Sequence, residues 1–546
     1  MTSVRDLADD LHVLTLDADP LAASFFGEPG YEDRLPDLTA GASERLVTAL
    51  RTVLDRADAL TPADAGEEVT LAAIRHAAHS GIAWSQVALV ECSPGPYGDG
   101  PAALVMAASR TVPETDEAAT AHLARAGAYA EYLDQCAERL REGARRGRTP
   151  AAAVLDVAIA QCDGWLAEET LGPLGSVEMP DPEQSVELAR IVTSSTRPAL
   201  ERYRATLASL RPVARADDRA GLSALPGGQA DYDRLVALHT TLPLTAAEVH
   251  QIGLDACHDL AERMTTLGAS LGLHGLPAVV SRLREVVSQA DPTAAMEAAR
   301  TAVRRAEALA PQYFSPPLPA PCRVEPMDAG MGRAGMAPHY APPTVDGAVE
   351  GTYWFNAEIP GVGGGWDLES VAYHEAVPGH HLQIARDQLR TDLPKLQRQA
   401  NVTALSEGWG LYAEVLAGDM GLYSSNEQRL GALGVQMMRA GRLVVDTGIH
   451  ALGWDRERAV TFLRERVPVG EAFLVAEVSR YIAIPGQALA YMIGQRELLR
   501  LRADAQSRLG PRFDLRGFHD AVLGHGQVPL PAVAAAVEAW IGSAGG

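Results

Sequence analysis

The chain has 546 residues, 47 % of them hydrophobic, and a formal net charge of −23. A chain of this length buries a sizeable core without staples. A surface so acidic repels phosphate backbones and anionic lipid, so neither nucleic acid nor a membrane is expected as a partner.

The first twenty residues are acidic and hold no long apolar run, so no secretory signal is expected. No stretch reaches the roughly 18 apolar residues of a spanning helix, and a cytoplasmic location is the expectation. Five scattered cysteines, Cys92, Cys136, Cys162, Cys257 and Cys322, show no C-x-x-C pair. Such a set reads as reduced, structural thiols.

From the start to residue 310 the pattern is helical. Ala, Leu, Glu and Arg dominate, and apolar residues recur every three or four positions. One helix is expected over Glu117 to Arg145. Another is expected over Leu244 to Leu271, with Thr245 and Glu248 as a capping box. Pro173, Pro180 and Pro212 mark helix–helix connections. No internal repeat is visible, which argues against a solenoid.

Between Pro311 and Trp366 the composition turns to Pro, Gly and Met, with strand-like pieces at Cys322 to Met327, Pro338 to Ala341 and Gly351 to Asn356. Aromatic and β-branched residues suit strands, and the Pro and Gly between them suit turns. A small antiparallel sheet is expected at 311–366, between helical lobes at 1–310 and 367–546. The fold class is therefore mainly α: one large domain in two helical lobes with a cleft between them. An irregular loop is the alternative, although structureless loops of this length are uncommon.

Helix resumes at Leu368, and the chemistry concentrates in Tyr373-His374-Glu375-Ala376-Val377-Pro378-Gly379-His380-His381-Leu382-Gln383. Three of the fifteen histidines fall within eight residues here. Zinc takes neutral imidazole and carboxylate ligands in a tetrahedron. The usual helical solution, H-E-x-x-H, stacks two histidines one turn apart with the Glu as base. Here the second histidine comes six or seven residues after His374. On a regular helix of about 3.6 residues per turn, i+6 points to the far side and i+7 lies about 10 Å along the axis. Pro378 and Gly379 permit a kink. A two-residue bulge there returns His380 to the place of an i+4 ligand, with His381 as the alternative. The competing view is a helix that ends at Pro378 with surface histidines around the turn.

Glu407, 27 residues beyond His380, is the expected third ligand, since Gly408 and Gly410 allow close approach. Glu414, two turns further on, is the rival ligand or an outer carboxylate. A merely solvated glutamate is the bland reading. Glu375 neighbours a ligand yet projects differently, which suits a general base. Asp446 and His450 are four apart and share a helix face. They read either as a pair that fixes a His450 contacting substrate or serving as a second oxyanion donor, or as a structural pair. The other histidines, such as His76, His79 and His258, read as ordinary helix residues. Asp514 to Ile541 reads as a closing helical pair.

The chain resembles the bacterial DUF885 family over nearly its whole length. The resemblance is carried by D-P-L-A-A-S-F-F-G-E-P-G, G-T-Y-W-F-N, Y-H-E-A-V-P-G-H-H-L-Q, S-E-G-W-G-L-Y-A-E, R-L-V-V-D-T-G-I-H-A-L-G-W and R-Y-I-A-I-P-G-Q-A-L-A-Y-M-I-G. It implies a large, mostly helical zinc metallopeptidase. More distantly the arrangement is similar to the helical gluzincins, such as angiotensin-converting enzyme and the carboxypeptidase Taq group, in which a Glu on a later helix completes the zinc site. That likeness implies a role for the Arg480–Tyr481 pair, with the Tyr481 hydroxyl bonding the oxyanion and Tyr491 as runner-up. The competing view makes both core tyrosines. It also implies an edge strand that binds extended substrate, for which Gly351 to Asn356, with Tyr353 and Asn356, is expected. Gln487, His339 and Tyr340 are expected to line the same cleft.

The expected activity is a Zn2+-dependent hydrolase, most simply an oligopeptidase or carboxypeptidase. A hydrolase or lyase for a non-peptide metabolite is the alternative. A non-catalytic binding protein would lack a ligand or the base, and neither is missing. The partner is thus a peptide or small-molecule substrate, and the oligomeric state stays open.

Overall fold

A computed structural model describes residues 3–97, 100–287, 291–327, 337–344, 349–358 and 365–545. The segments 328–336, 345–348 and 359–364 of the expected sheet region lie outside these. Every described helix or strand that begins before residue 314 is a helix. Their starts are set by short polar side chains that accept otherwise orphaned backbone N–H groups, as at Ser3, Asp64 and Thr115. The Thr245–Glu248 capping box forms and opens α1 (Ala246–Ser270). The single helix expected over Glu117 to Arg145 is instead two, Asp116–Gly127 and Tyr129–Arg145, divided at Ala128. Gly127 supplies the weak point, since glycine costs a helix about 1 kcal/mol relative to alanine.

Helices between residues 101 and 210 enclose their own apolar core around Tyr129, Leu133, Leu155 and Tyr203. A second core joins α1 to a helix far along the chain, Asn426–His450, through Val249, Leu260, Leu443 and Val444. Gly253 allows the two to touch: a Cβ there would lie 2.7 Å from Leu443 Cβ. All five cysteines are buried and none forms a disulfide. Among the described residues, no helix is long and apolar enough to cross a membrane.

Helix α2 (Pro292–Tyr313) leads into the sheet, made of β1 (Arg323–Pro326), β2 (His339–Ala341) and β3 (Thr352–Phe355). The strands fall where the sequence places them, but the sheet is mixed and not antiparallel. Its order is β1-β3-β2, with β1 parallel to β3 and β2 antiparallel to it. Strand direction follows from the connections. The chain between β1 and β3 is long enough for a crossover, and β2 returns on β3 as its antiparallel neighbour. Val324, Tyr340, Tyr353 and Phe355 bury against Phe314, Leu368, Tyr373 and Trp409 in a third core. The sheet therefore backs directly onto the helices that carry the histidines. The closing pair forms at Leu515–Leu523 and Leu530–Gly545.

Candidate metal centre

Helix α3 (Leu368–Glu375) stops just after His374 and Glu375, and α4 (His380–Leu389) begins at His380. The expected kink is a full break. Pro378 lacks the N–H that would continue the ladder. Gly379 lies so close to the end of α3 that a Cβ would fall 1.9 Å from the His374 carbonyl oxygen. The break is pinned by Trp409 Nε1, which donates to Pro378 O at 2.9 Å, and by His381 N–H, which donates to Ala376 O at 3.1 Å. The reversal brings His380 back over His374, with ring centroids 4.7 Å apart and planes at 85°.

Helix α5 (Thr403–Asp419) supplies Glu407. Its Oε2 lies 3.4 Å from His374 Nε2 and 3.5 Å from His380 Nε2, and one ligand atom from each residue lies within 4.8 Å of the others. Ligands about 2.0–2.1 Å from a tetrahedral zinc are about 3.3–3.4 Å from one another, so these separations fit an ion at the centre. Gly410 gives the His374 ring its seat, because a Cβ there would sit 2.5 Å from His374 Cε1. One turn further, Glu414 Oε1 accepts from His374 Nδ1 at 2.9 Å, and its Oε2 accepts from Ser370 Oγ at 3.0 Å. Glu414 is therefore the carboxylate behind the imidazole, orienting Nε2 inward. His381 faces the other way: its Nε2 donates to Ala320 O at 2.7 Å, and its Nδ1 meets the Tyr340 hydroxyl at 3.1 Å.

Three carboxylates thus surround two imidazoles. Burial alone would push the His374 imidazole down, yet Glu407, Glu414 and Glu375 outweigh it and raise it to about 9. Burial likewise opposes ionisation of Glu407, but the two imidazoles hold its carboxyl well below the usual range. The arrangement calls for positive charge at its centre, which a divalent cation supplies once the imidazoles are neutral. Glu375 stands beside the triad and outside it, its Oε2 accepting from the Tyr340 backbone N–H at 2.8 Å.

Several expected contacts are arranged differently. β3 is the central strand, paired on both edges, so it has no free edge for an added substrate strand. The edge strand beside Glu375 is β2. Tyr353 is fully buried within the sheet, and Asn356 Oδ1 accepts from Glu358 N–H at 2.8 Å in the turn beyond it. His339 Nδ1 lies 3.0 Å from Ala337 O.

His450 contacts no cleft. Its Nδ1 accepts from Leu222 N–H at 3.1 Å and its Nε2 donates to Tyr481 O at 3.0 Å, deep in the core. Nor does Asp446 pair with it: Asp446 Oδ1 accepts from the Tyr232 hydroxyl at 2.6 Å and from Gly486 N–H at 3.0 Å. With both ring nitrogens committed to backbone groups, His450 is structural.

Arg480 and Tyr481 lie on α7 (Glu471–Ala483), following the long helix α6 (Asn426–His450). The Tyr481 hydroxyl donates to Glu477 Oε2 at 2.6 Å and accepts from Arg442 Nε at 2.9 Å. Its proton is already committed to a carboxylate. Arg480 donates to Glu477 and to Gln487 Oε1. Tyr491 lies on α8 (Ala490–Leu509) near Glu407; burial, and after it the Glu407 carboxylate, push its phenol up. It is brought there by the crossing of α5 and α8, where a Cβ on Gly408 would lie 2.5 Å from Gly494 Cα. Gln487 Nε2 reaches its hydroxyl at 3.5 Å. The sequence reading missed Arg439, Arg442 and Glu477. The available signal was two arginines three apart in the middle of a long, largely buried helix.

A cavity of about 730 Å³ lies among the N-terminal helices, lined in part by Trp84, Met106 and Arg139, and includes none of the metal-centre residues. Chemistry, not volume, locates the site.

A family model described as "Bacterial protein of unknown function (DUF885)" matches residues 20–537. Among solved structures, the chain is similar to a candidate lipoprotein from Colwellia psychrerythraea, with a TM-score of 0.90 and 24 % identity over 100 % of both chains. It is also similar to a candidate lipoprotein of unknown function from Shewanella oneidensis, with a TM-score of 0.74 and 15 % identity over 98 % of this chain and 99 % of that one. At these identities the likeness is one of fold. No curated protein matches the chain.

Proposed function

The chain belongs to the DUF885 family, and from the geometry of its His374–His380–Glu407 centre we propose that it is a zinc-dependent hydrolase acting on peptide bonds. The observation that supports this is the convergence of two Nε2 atoms on Glu407 Oε2, at 3.4 and 3.5 Å, with Glu375 beside them and bound to none of them.

A zinc ion held there would supply a Lewis acid for the scissile carbonyl and lower the pKa of a water. Three protein ligands leave a fourth position open, as catalytic zinc sites do. Glu414 holds His374 in one tautomer. Tyr340 N–H anchors one oxygen of Glu375. The other oxygen takes the proton of the attacking water and returns it to the leaving nitrogen. Tyr491 is our choice of oxyanion donor, because the Tyr481 proton is held by Glu477.

The test is zinc content per chain together with turnover of a peptide library, using Glu375→Gln as control. The reading expects stoichiometric zinc in both proteins and cleavage only in the unsubstituted one. Stoichiometric zinc with no peptide cleaved would count against a peptidase.

A further inference from the structure

Beside the metal centre lies a cluster of cations short of anions. Arg439, Arg442 and Arg480 gather about Tyr481 and Tyr491, and among the described residues Glu477 is the one carboxylate bonded to any of them. Arg442 is 4 % exposed. Its Nε and Nη2 are spent on Tyr481 and Glu477, but its Nη1 is buried with no hydrogen-bond partner. Arg439 forms no ion pair among the described residues, and its Nε is also buried and unpartnered. Both guanidiniums lie over the same ring, at 4.8 and 4.7 Å from the Tyr491 centroid. Buried guanidinium donors left unmet are costly. A surplus of this kind, rigidly stacked, is what an anion completes.

We propose that Arg439 and Arg442 seat the C-terminal carboxylate of a short peptide substrate, so that the protein selects free acids over their amides; this rests on the hydrolase reading. The planar fork of arginine matches a carboxylate through paired N–H donors. Arg439 and Tyr491 are only half-buried, so the seat is open to a ligand, and Tyr491 stands one turn before Gly494, against which Gly408, the residue after Glu407, packs so closely that a Cβ would lie 2.5 Å from Gly494 Cα. The anion is thus held next to the centre where the peptide bond would be cut. It is not sequestered in a remote part of the fold.

The test measures binding of N-acetylated tripeptides, each as free acid and as C-terminal amide, to the full-length Glu375→Gln protein by calorimetry. Free acids are expected to bind at least tenfold more tightly than amides. Arg439→Gln should erase that preference and Arg439→Lys keep part of it. Arg439 has no hydrogen-bond partner among the described residues, so these variants are expected to fold; Arg442→Gln is the second probe. Equal binding of acids and amides overturns the proposal, as does the absence of binding by any acid at millimolar concentration. It is also overturned if inorganic phosphate alone occupies the seat as tightly as the acids do. Cleavage of the same acids by the unsubstituted protein is read separately by mass spectrometry. Cleavage without acid preference removes this inference and spares the hydrolase reading; acid preference without cleavage does the reverse.

Discussion

His374 Nδ1 lies 2.9 Å from Glu414 Oε1, and the same imidazole turns its Nε2 to within 3.4 Å of Glu407 Oε2. One histidine is thus gripped from behind by one carboxylate and turns its other nitrogen toward a second, in the cluster proposed to hold zinc. Outer partners of this kind are worth about 10–100-fold in metal affinity or activity. Glu414→Gln should therefore weaken zinc by that factor in a chelator competition, with the helical circular dichroism unchanged. Unaltered affinity would mean that Glu414 does not orient the ligand.

Substitutions at the two adjacent histidines should part company. His380→Gln removes a ligand and should abolish zinc binding. His381 bonds Ala320 O and Tyr340, so His381→Gln should keep its zinc and lose only stability. Metal analysis of both purified variants checks this, and zinc loss from the His381 variant alone would reverse the assignment.

Gly410→Ala places a methyl 2.5 Å from His374 Cε1. Overpacking of this kind costs about 1–3 kcal/mol, and the displaced ring should also release the metal. Gly164, in the helix Ala152–Ala167, has open space where a Cβ would stand, with nothing within 4 Å. Gly164→Ala should raise stability by about 0.5–1 kcal/mol, because glycine is unfavourable within a helix. Urea denaturation of the two variants separates steric from intrinsic effects.

The pH dependence of stability has a definite sign at His239. Burial pushes its imidazole from 6.5 down to about 3, so the folded state disfavours the charged form. Its contribution is fully present above pH 6.5 and is lost as pH falls from there toward 3. The slope approaches about 1.4 kcal/mol per pH unit within that window. His239→Phe, which keeps a ring and cannot titrate, should lose stability less steeply than the parent between pH 6.5 and 5 in urea denaturation. Parallel slopes would show that His239 is protonated normally in the fold.

The convergence of His374, His380 and Glu407 was legible in the sequence because its logic is local. A histidine–glutamate pair, a Pro-Gly break and a Gly-flanked glutamate each constrain the backbone by their own chemistry. The strands were legible for the same reason, to within a residue or two. Strand direction was not, since it depends on where the connections run. Asp446 and His450 show a different limit. Their spacing correctly puts them on one helix face, but their partners come from Leu222, 228 residues away, and from Tyr232, 214 residues away. Tyr481 shows the limit in part: the Glu477 that accepts from its hydroxyl lies one turn back on the same helix, but the Arg442 that donates to it comes from another helix.

The most direct measurement is an anomalous difference map at the zinc edge from crystals of the purified protein. A single peak should stand about 2.0–2.1 Å from His374 Nε2, His380 Nε2 and a Glu407 carboxylate oxygen. A flat map at that point, with the three side chains turned away from one another, would contradict a metal centre there.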